Sequence, residues 1–238
     1  MGDEDPQNCG NDGYLMVKQV SDQQVVSIDS VTHMRKTDFD VTGKDGGTYR
    51  LESLLAGAPA AEDRFQRLNR LLLPNGRRAM EAFVDNLCVI DPGMTPPLGI
   101  YFESFGKELA AWTDWFYAEE GKGSLFLRYV TAADARRKHL PAMTAGAGSG
   151  VYFLYVVLVC AGSGTGFGTT LVDIAERFAV RLGVRFVVLS ALPHVVSYYY
   201  KLGFMLADRD GNPIDTTPWV GVDETGRKRL FPERKIHV

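Results

Sequence analysis

The chain has 238 residues, 45% of them hydrophobic and 23% charged, with a formal net charge of −3. That is enough apolar material for one sizeable core, and the slight negative balance argues against nucleic-acid binding driven by bulk charge. Cys9, Cys88 and Cys160 make no C-x-x-C spacing and His33, His139, His194 and His237 no metal-ligand pair, which points to a reduced, cytoplasmic setting without a resident metal.

Residues 1–13 carry Gly, Asn and Asp, lack a basic-then-apolar leader pattern, and are expected to be disordered ahead of a single domain over 14–238. Tyr14–Val20 predicts a first strand, and Ser21 or Asp22 can cap a helix that uses Val25, Ile28 and Val31. Asp38–Thr48 is rich in Gly and Asp and reads as a loop. A helix over Ala60–Leu73 would put Phe65, Leu68 and Leu71 or Leu72 on one face, with Pro74-Asn75-Gly76 as its end. Met80, Phe83, Val84 and Leu87 do the same for Arg77–Ile90, stopped by Asp91-Pro92-Gly93. Leu98–Phe105 and Glu108–Tyr117 flank Gly106-Lys107 and read as a β-hairpin. Residues 118–150 then read as an insertion. Within it Thr131-Ala132-Ala133-Asp134 looks like a capping box that opens a basic helix, and Ala142–Gly150 is a small-residue linker.

The longest apolar run, Val151–Cys160, is too short to cross a bilayer and predicts a strand covered on both faces. After it, Leu171, Ile174, Ala175, Phe178 and Leu182 recur at helical spacing. Asp173, Glu176, Arg177 and Arg181 take the opposite face, and Gly183 supplies the stop. Val184–Ala191 is again β-branched and apolar, hence a second covered strand. Pro193 can open a short helix through Leu202, closed by Gly203. Met205–Ala207 is a candidate strand, and Arg229–Val238 can return as the last strand of a mixed sheet.

Between the run and the long helix lies Ser163-Gly164-Thr165-Gly166-Phe167-Gly168-Thr169-Thr170-Leu171. Strand, glycine-rich turn and helix together aim backbone N–H groups and the positive end of a helix dipole at one point, an arrangement suited to an anion such as a pyrophosphate. The dinucleotide fingerprint G-x-G-x-x-G fails here, with Phe167 or Thr169 in its last position. The nucleoside-triphosphate loop fails for want of a lysine. What fits is x-G-x-G-x-G-x-x-L on Gly164, Gly166, Gly168 and Leu171. It resembles the coenzyme A pyrophosphate loop of the GNAT superfamily of acyl-CoA-dependent N-acyltransferases. A second segment, Tyr199 to Gly203-Phe204, resembles that family's Y-x-x-x-G-F signature. The chain departs from the pattern at Ser163, where Gln or Arg is usual, and at Leu192, where an Asn often contacts the pantetheine arm. The bland reading is a flexible glycine loop with no ligand.

The resemblance implies an α/β fold: a mixed, mostly antiparallel sheet flanked by helices, whose central parallel pair, Val151–Cys160 and Val184–Ala191, splays apart for coenzyme A. It implies that backbone groups of Leu158, Val159 and Cys160 pair with the pantetheine amides. The turn of Ser163, Gly164, Thr165, Gly166, Phe167, Gly168 and Thr169 would hold the phosphates of acetyl-CoA. The reaction implied is transfer of an acetyl group to a primary amine on a small molecule or protein, by direct attack. Tyr199 would donate a proton to the leaving thiolate, since a phenol with a pKa near 10 is protonated at neutral pH. Tyr198 and Tyr200 are read as surface-packed rings. The general base stays open among Glu103, Asp114, His194 and a water chain. Cys160 reads as a buried strand cysteine rather than a nucleophile, and Trp112, Trp115, Phe116 and Tyr117 as core rather than an acceptor pocket. Three other readings stand beside this one: an acyl-CoA-binding module with decayed catalysis, a scaffold that holds a partner through 118–150, and a different nucleotide-binding enzyme.

Overall fold

A computed structural model describes residues 14–21, 37–54, 66, 70, 113–119, 122–131, 151–161, 164–191, 195–207, 220–222 and 228–230. Ten strands and two helices are delimited within these residues. They are β1 (Tyr14–Gln19), β2 (Phe39–Thr42), β3 (Thr48–Ser53), β4 (Trp115–Glu119), β5 (Gly123–Thr131), β6 (Val151–Ala161), α1 (Phe167–Leu182), β7 (Phe186–Ala191), α2 (Val196–Lys201), β8 (Met205–Leu206), β9 (Val220–Val222) and β10 (Lys228–Leu230). Eight strands form one sheet in the order β2-β3-β4-β5-β6-β7-β1-β8, and β9 pairs with β10 apart from it. Every neighbour in the large sheet is antiparallel except β6 and β7. A parallel pair needs a crossover, and α1 supplies it.

The apolar run becomes β6 because nine-residue β5 covers one of its edges almost end to end, from Gly123 opposite Ala161 to Thr131 opposite Val151. α1 covers one face of the sheet. Its Phe167, Leu171, Val172, Ile174, Ala175, Phe178, Ala179 and Leu182 are buried, the stripe that the helical spacing predicts. Phe178 meets Trp115 edge-on at 4.9 Å and Phe39 at 5.3 Å, locking helix to sheet. Gly183 stops α1 in a left-handed conformation (φ 71°), its N–H donating to the carbonyls of Ala179 and Val180.

Two polar ties fix the helix laterally. Asp173 is almost fully buried, at 8% exposure. It accepts the Lys44 backbone N–H at 2.8 Å and the Arg177 guanidinium at 3.0 Å. Burial of that carboxylate is tolerable because both oxygens are engaged by donors or cations. On the other side, Lys18 of β1 donates to Glu176 and to the Leu202 carbonyl, both at 2.7 Å, which joins β1, α1 and the end of α2.

Several expectations change. Asp38–Thr48 is not one loop: β2 and the start of β3 occupy its ends, and only the turn between them is irregular. That turn is closed by Gly43 N–H to Gly47 O at 2.9 Å and Gly46 N–H to Gly43 O at 3.1 Å, with Gly46 at φ 79°. Trp115–Tyr117 does belong to a hairpin, but its partner is β5, with Trp115 opposite Leu127 and Glu119 opposite Gly123. Residues 123–131, expected inside an insertion, are instead a central strand between β4 and β6. The closing strand of the sheet is also different. β8 pairs with the N-terminal β1, and among the described residues β10 pairs with β9, while 231–238 lie outside them. Trp115, Phe116 and Tyr117 are buried, as core aromatics should be. Gln66 and Arg70 are helical, and the rest of the segments expected as helices, linkers or, for Leu98–Phe105, a hairpin strand over 22–36, 60–65, 67–69, 71–112 and 132–150 lies outside the described residues, as do residues 1–13.

Candidate functional site

β6 has one closed edge and one that opens. Its parallel register with β7 runs only from Phe153 opposite Phe186 to Val156 opposite Leu189. Beyond that, among the described residues, Val157–Ala161 have β5 on one side and no ladder partner from β7 on the other. The parting coincides with a bulge. Leu127 lies opposite Val156 and Phe126 opposite Leu158, so Val157 is an extra residue on β6. A bulge bends its strand and raises the local twist, and here it falls where the two parallel strands separate. Leu158 and Val159 are half-buried on this open stretch, with Phe126 and Leu125 opposite them, and Cys160 continues the strand opposite Ser124. A strand edge left open in this way offers N–H and C=O groups to an extended, amide-bearing ligand.

The chain then turns into α1. Gly164 (φ 75°) and Gly166 (φ 73°) both adopt left-handed conformations that L side chains rarely take, which explains glycine at these two positions. Gly166 is the N-cap and offers no side-chain cap, and the first turn of α1 holds no acidic residue. The positive end of a sixteen-residue helix is therefore not neutralised by its own sequence. Two of its amides are engaged locally. Phe167 N–H donates to Thr165 Oγ1 at 3.2 Å, and Thr169 N–H to Gly166 O at 3.1 Å. From the β4–β5 turn, the Lys122 ammonium stands 5.7 Å from the Phe167 ring centroid and 2.6 Å from Glu119.

α2 brings the tyrosines to this corner. Tyr199 turns inward, its ring edge-on to Phe204 at 5.8 Å and to Tyr198 at 5.0 Å. Its carbonyl accepts the Leu202 and Phe204 amides, closing the turn through Gly203 (φ 88°). Burial, and secondarily the neighbouring Tyr198, push the Tyr199 phenol well above its ordinary pKa, so it holds its proton throughout the neutral range. Tyr200 is 41% exposed, as expected for a surface ring. Tyr198 is not. Its hydroxyl lies 3.4 Å from Thr169 Oγ1 in the first turn of α1. A Cβ placed on Gly168 would approach that hydroxyl to 3.1 Å, so the third glycine of the turn makes room for Tyr198. Burial raises the Tyr198 pKa, and the Thr169 hydrogen bond partly opposes the rise.

Gly164, Thr165, Gly166, Phe167, Gly168 and Thr169 thus form one turn at the mouth of the open β6 edge, with Tyr198 and Tyr199 on the neighbouring short helix. Ser163 and Leu192 lie outside the described residues, as do Glu103, Trp112 and His194. Among the candidate bases, Asp114 is occupied otherwise: it is buried and its Oδ2 accepts the Tyr129 N–H at 2.9 Å. The reading of residue types missed Tyr198, because nothing in the run Tyr198-Tyr199-Tyr200 tells which ring turns toward the glycine turn. It also missed Lys122, which approaches Phe167 only because the β4–β5 turn comes alongside α1.

No protein-family model matches this chain, and a search of curated proteins finds no match either. Among the described residues, no helix is long and apolar enough to cross a membrane, and no group of three or more His, Cys, Asp or Glu is placed to hold a metal ion.

Proposed function

We propose that the protein is an N-acyltransferase of GNAT type that moves an acetyl group from acetyl-CoA to a primary amine in the cytoplasm. The observation that carries this reading is the parting of β6 from β7 after Val156 and Leu189, directly upstream of a glycine turn that caps α1. The open edge over Leu158, Val159 and Cys160 suits the amides of a pantetheine arm. Amides from Gly164 to Gly168 and the helix dipole suit the pyrophosphate, at about 1.5–3 kcal/mol for each hydrogen bond to a charged group.

In that geometry the thioester carbon lies near the mouth of the gap. A neutral amine attacks it, a C–N bond forms, and the carbonyl becomes a tetrahedral oxyanion. Collapse re-forms the carbonyl, breaks the C–S bond and expels the coenzyme A thiolate. Tyr199 gives its phenolic proton to the sulfur, and the proton lost by the attacking nitrogen passes to solvent or a base and restores the phenol. Burial keeps the phenol protonated at neutral pH, so the proton is in place when the thiolate forms.

A thermal-shift panel of acetyl-CoA, longer acyl-CoAs, NAD and ATP tests the cofactor. A ligand selective for the folded state must raise Tm, by about 2.7 kcal/mol of added stability at one hundred times its Kd. A rise with coenzyme A esters alone is expected. A rise with NAD or ATP alone would return the chain to another nucleotide-binding class, and no rise at millimolar ester would remove the reading. Binding without turnover across a broad amine library would favour the decayed acyl-CoA-binding module.

A further inference from the structure

Lys18 of β1 spends its ammonium donors within the protein. They go to Glu176 Oε1 and Oε2 and to the Leu202 carbonyl, each at 2.7 Å, which accounts for all three N–H groups. The pair is mostly buried, with side chains 23% and 15% exposed, so solvent screens it less than a surface ion pair. The bonds end on two different parts of the candidate site. Glu176 belongs to α1, which starts at the glycine turn. Leu202 is the C-cap of α2, where a cation also meets the negative end of the helix. Two routes then lead from Lys18 to Tyr199. Through the backbone, the Tyr199 carbonyl accepts the Leu202 N–H at 3.0 Å and the Phe204 N–H at 3.1 Å. Through the side chains, the ammonium stands 5.7 Å from the Phe204 ring centroid, and that ring meets Tyr199 edge-on at 5.8 Å. The Lys18 stem also lies along the turn, since a Cβ placed on Gly203 would sit 3.5 Å from its Cε.

We infer that the Lys18–Glu176 pair positions Tyr199. It holds the end of α2 against α1 and so fixes where the Tyr199 phenol stands relative to the opening between β6 and β7. The inference rests on the N-acyltransferase reading and deepens it, because it assigns placement of the proton donor to β1, outside both segments that carry the resemblance. α2 has only six residues and no side-chain cap at its start. A helix of that length has little stability of its own, so its placement is set by what it docks on. That placement matters, because a displacement of about 1 Å can cost on the order of 10²-fold in rate. With every ammonium donor engaged, Lys18 acts through Tyr199 rather than on the substrate.

The test uses the full chain, acetyl-CoA and an amine that the unaltered protein acetylates. Lys18→Met keeps most of the stem and removes the ammonium. It is expected to lower kcat by about 10- to 100-fold and to leave the calorimetric Kd for acetyl-CoA unchanged. It should also lower Tm, because Glu176 is left as an unpaired, mostly buried charge. Combining Lys18→Met with Glu176→Met removes that orphan charge, so Tm should return while kcat stays low. In a Tyr199→Phe background the loss from Lys18→Met should disappear, since no phenolic proton is left to place. A kcat that recovers together with Tm would make the pair a stabilising contact only and overturn the inference. So would an unchanged kcat in Lys18→Met, or an equal loss in the Tyr199→Phe background. In all three cases the acyltransferase reading survives. If the unaltered protein acetylates no amine, that reading and the positioning role fall together.

Discussion

The two edges of β6 differ in kind. Toward β5 the strand is paired from end to end apart from two register shifts, and the side chains along that pairing, Leu125, Leu127, Tyr129, Phe153 and Leu154, are buried. Toward β7 the pairing lasts four residue pairs and stops. On the first edge the backbone is consumed by the sheet and the side chains build the core. On the second, the sheet gives up hydrogen bonds, and an unpaired strand edge is tolerable only where water or a ligand takes over. Both edges contribute to the core, since Val187, Val188 and Leu189 of β7 are as buried as the β5 residues, but only the β7 edge carries the proposed ligand site, so substitutions in the two regions should fail in different assays.

The largest expected effect belongs to the open side. Tyr199→Phe should lower kcat by about 10²–10⁴-fold on an identified amine, the range for a positioned general acid. Acetyl-CoA affinity and Tm should hardly move, because the ring keeps its contact with Phe204. Near-full turnover would assign the proton to solvent or another group. On the closed side, Phe178→Ala should cost about 3–5 kcal/mol in denaturant unfolding, the usual loss for a buried aromatic that leaves a cavity. The ring touches Trp115 and Phe39, so the damage spreads from α1 to β2 and β4. A loss under about 1 kcal/mol would mean the cavity collapses, against the packing described.

Gly166→Val joins the two sides. Nothing crowds a Cβ there, but the φ of 73° strains any L residue, at about 1–2 kcal/mol. At roughly 2–4 °C per kcal/mol for a chain of this size, Tm should fall by a few degrees. The rise on adding acetyl-CoA should vanish. A retained rise would show that this amide turn does not hold the ligand.

The smallest effect separates the sides by pH. Burial pushes Tyr155 on β6 up to about 12. A phenol with a folded pKa above its unfolded value of 10 binds its proton more tightly when folded. Its stabilising share is complete below pH 10 and is lost as pH rises from 10 to about 12. Unfolding measured from pH 9 to 12 should therefore show falling stability, less steep in Tyr155→Phe. An equal slope in both would place the alkaline loss elsewhere, with Tyr117 and Tyr199, also raised by burial, next in line.

How much of this was legible beforehand follows the range of the interactions involved. β6, α1, β7 and α2 were readable because apolar periodicity, a helix-ending Gly183 and Gly203 are local signals that survive in the folded chain. The turn from Gly164 to Gly168 was readable for the same reason, since positive φ at Gly164 and Gly166 is a backbone demand written as residue type. Strand pairing was not. Trp115–Glu119 reads equally well as the partner of a segment before it or after it, and only the sheet makes that partner β5. Nor does any local feature announce that β1 enters between β7 and β8, because the burial that rewards it comes from residues more than 150 positions away. The same holds within the site. The resemblance to the Y-x-x-x-G-F signature made Tyr199 a candidate acid, whereas the Tyr198 hydroxyl lies beside Thr169 because α2 docks against the first turn of α1, a contact spanning 29 residues. The sequence by itself determined β1, β6, α1, β7 and α2 and where a glycine turn must lie, through short-range sterics and side-chain periodicity, but not β2 or β5. The tertiary structure alone decided which strands pair, where β6 and β7 part, and which tyrosine faces the turn. Those outcomes are set by long-range packing, whose energy no local stretch contains.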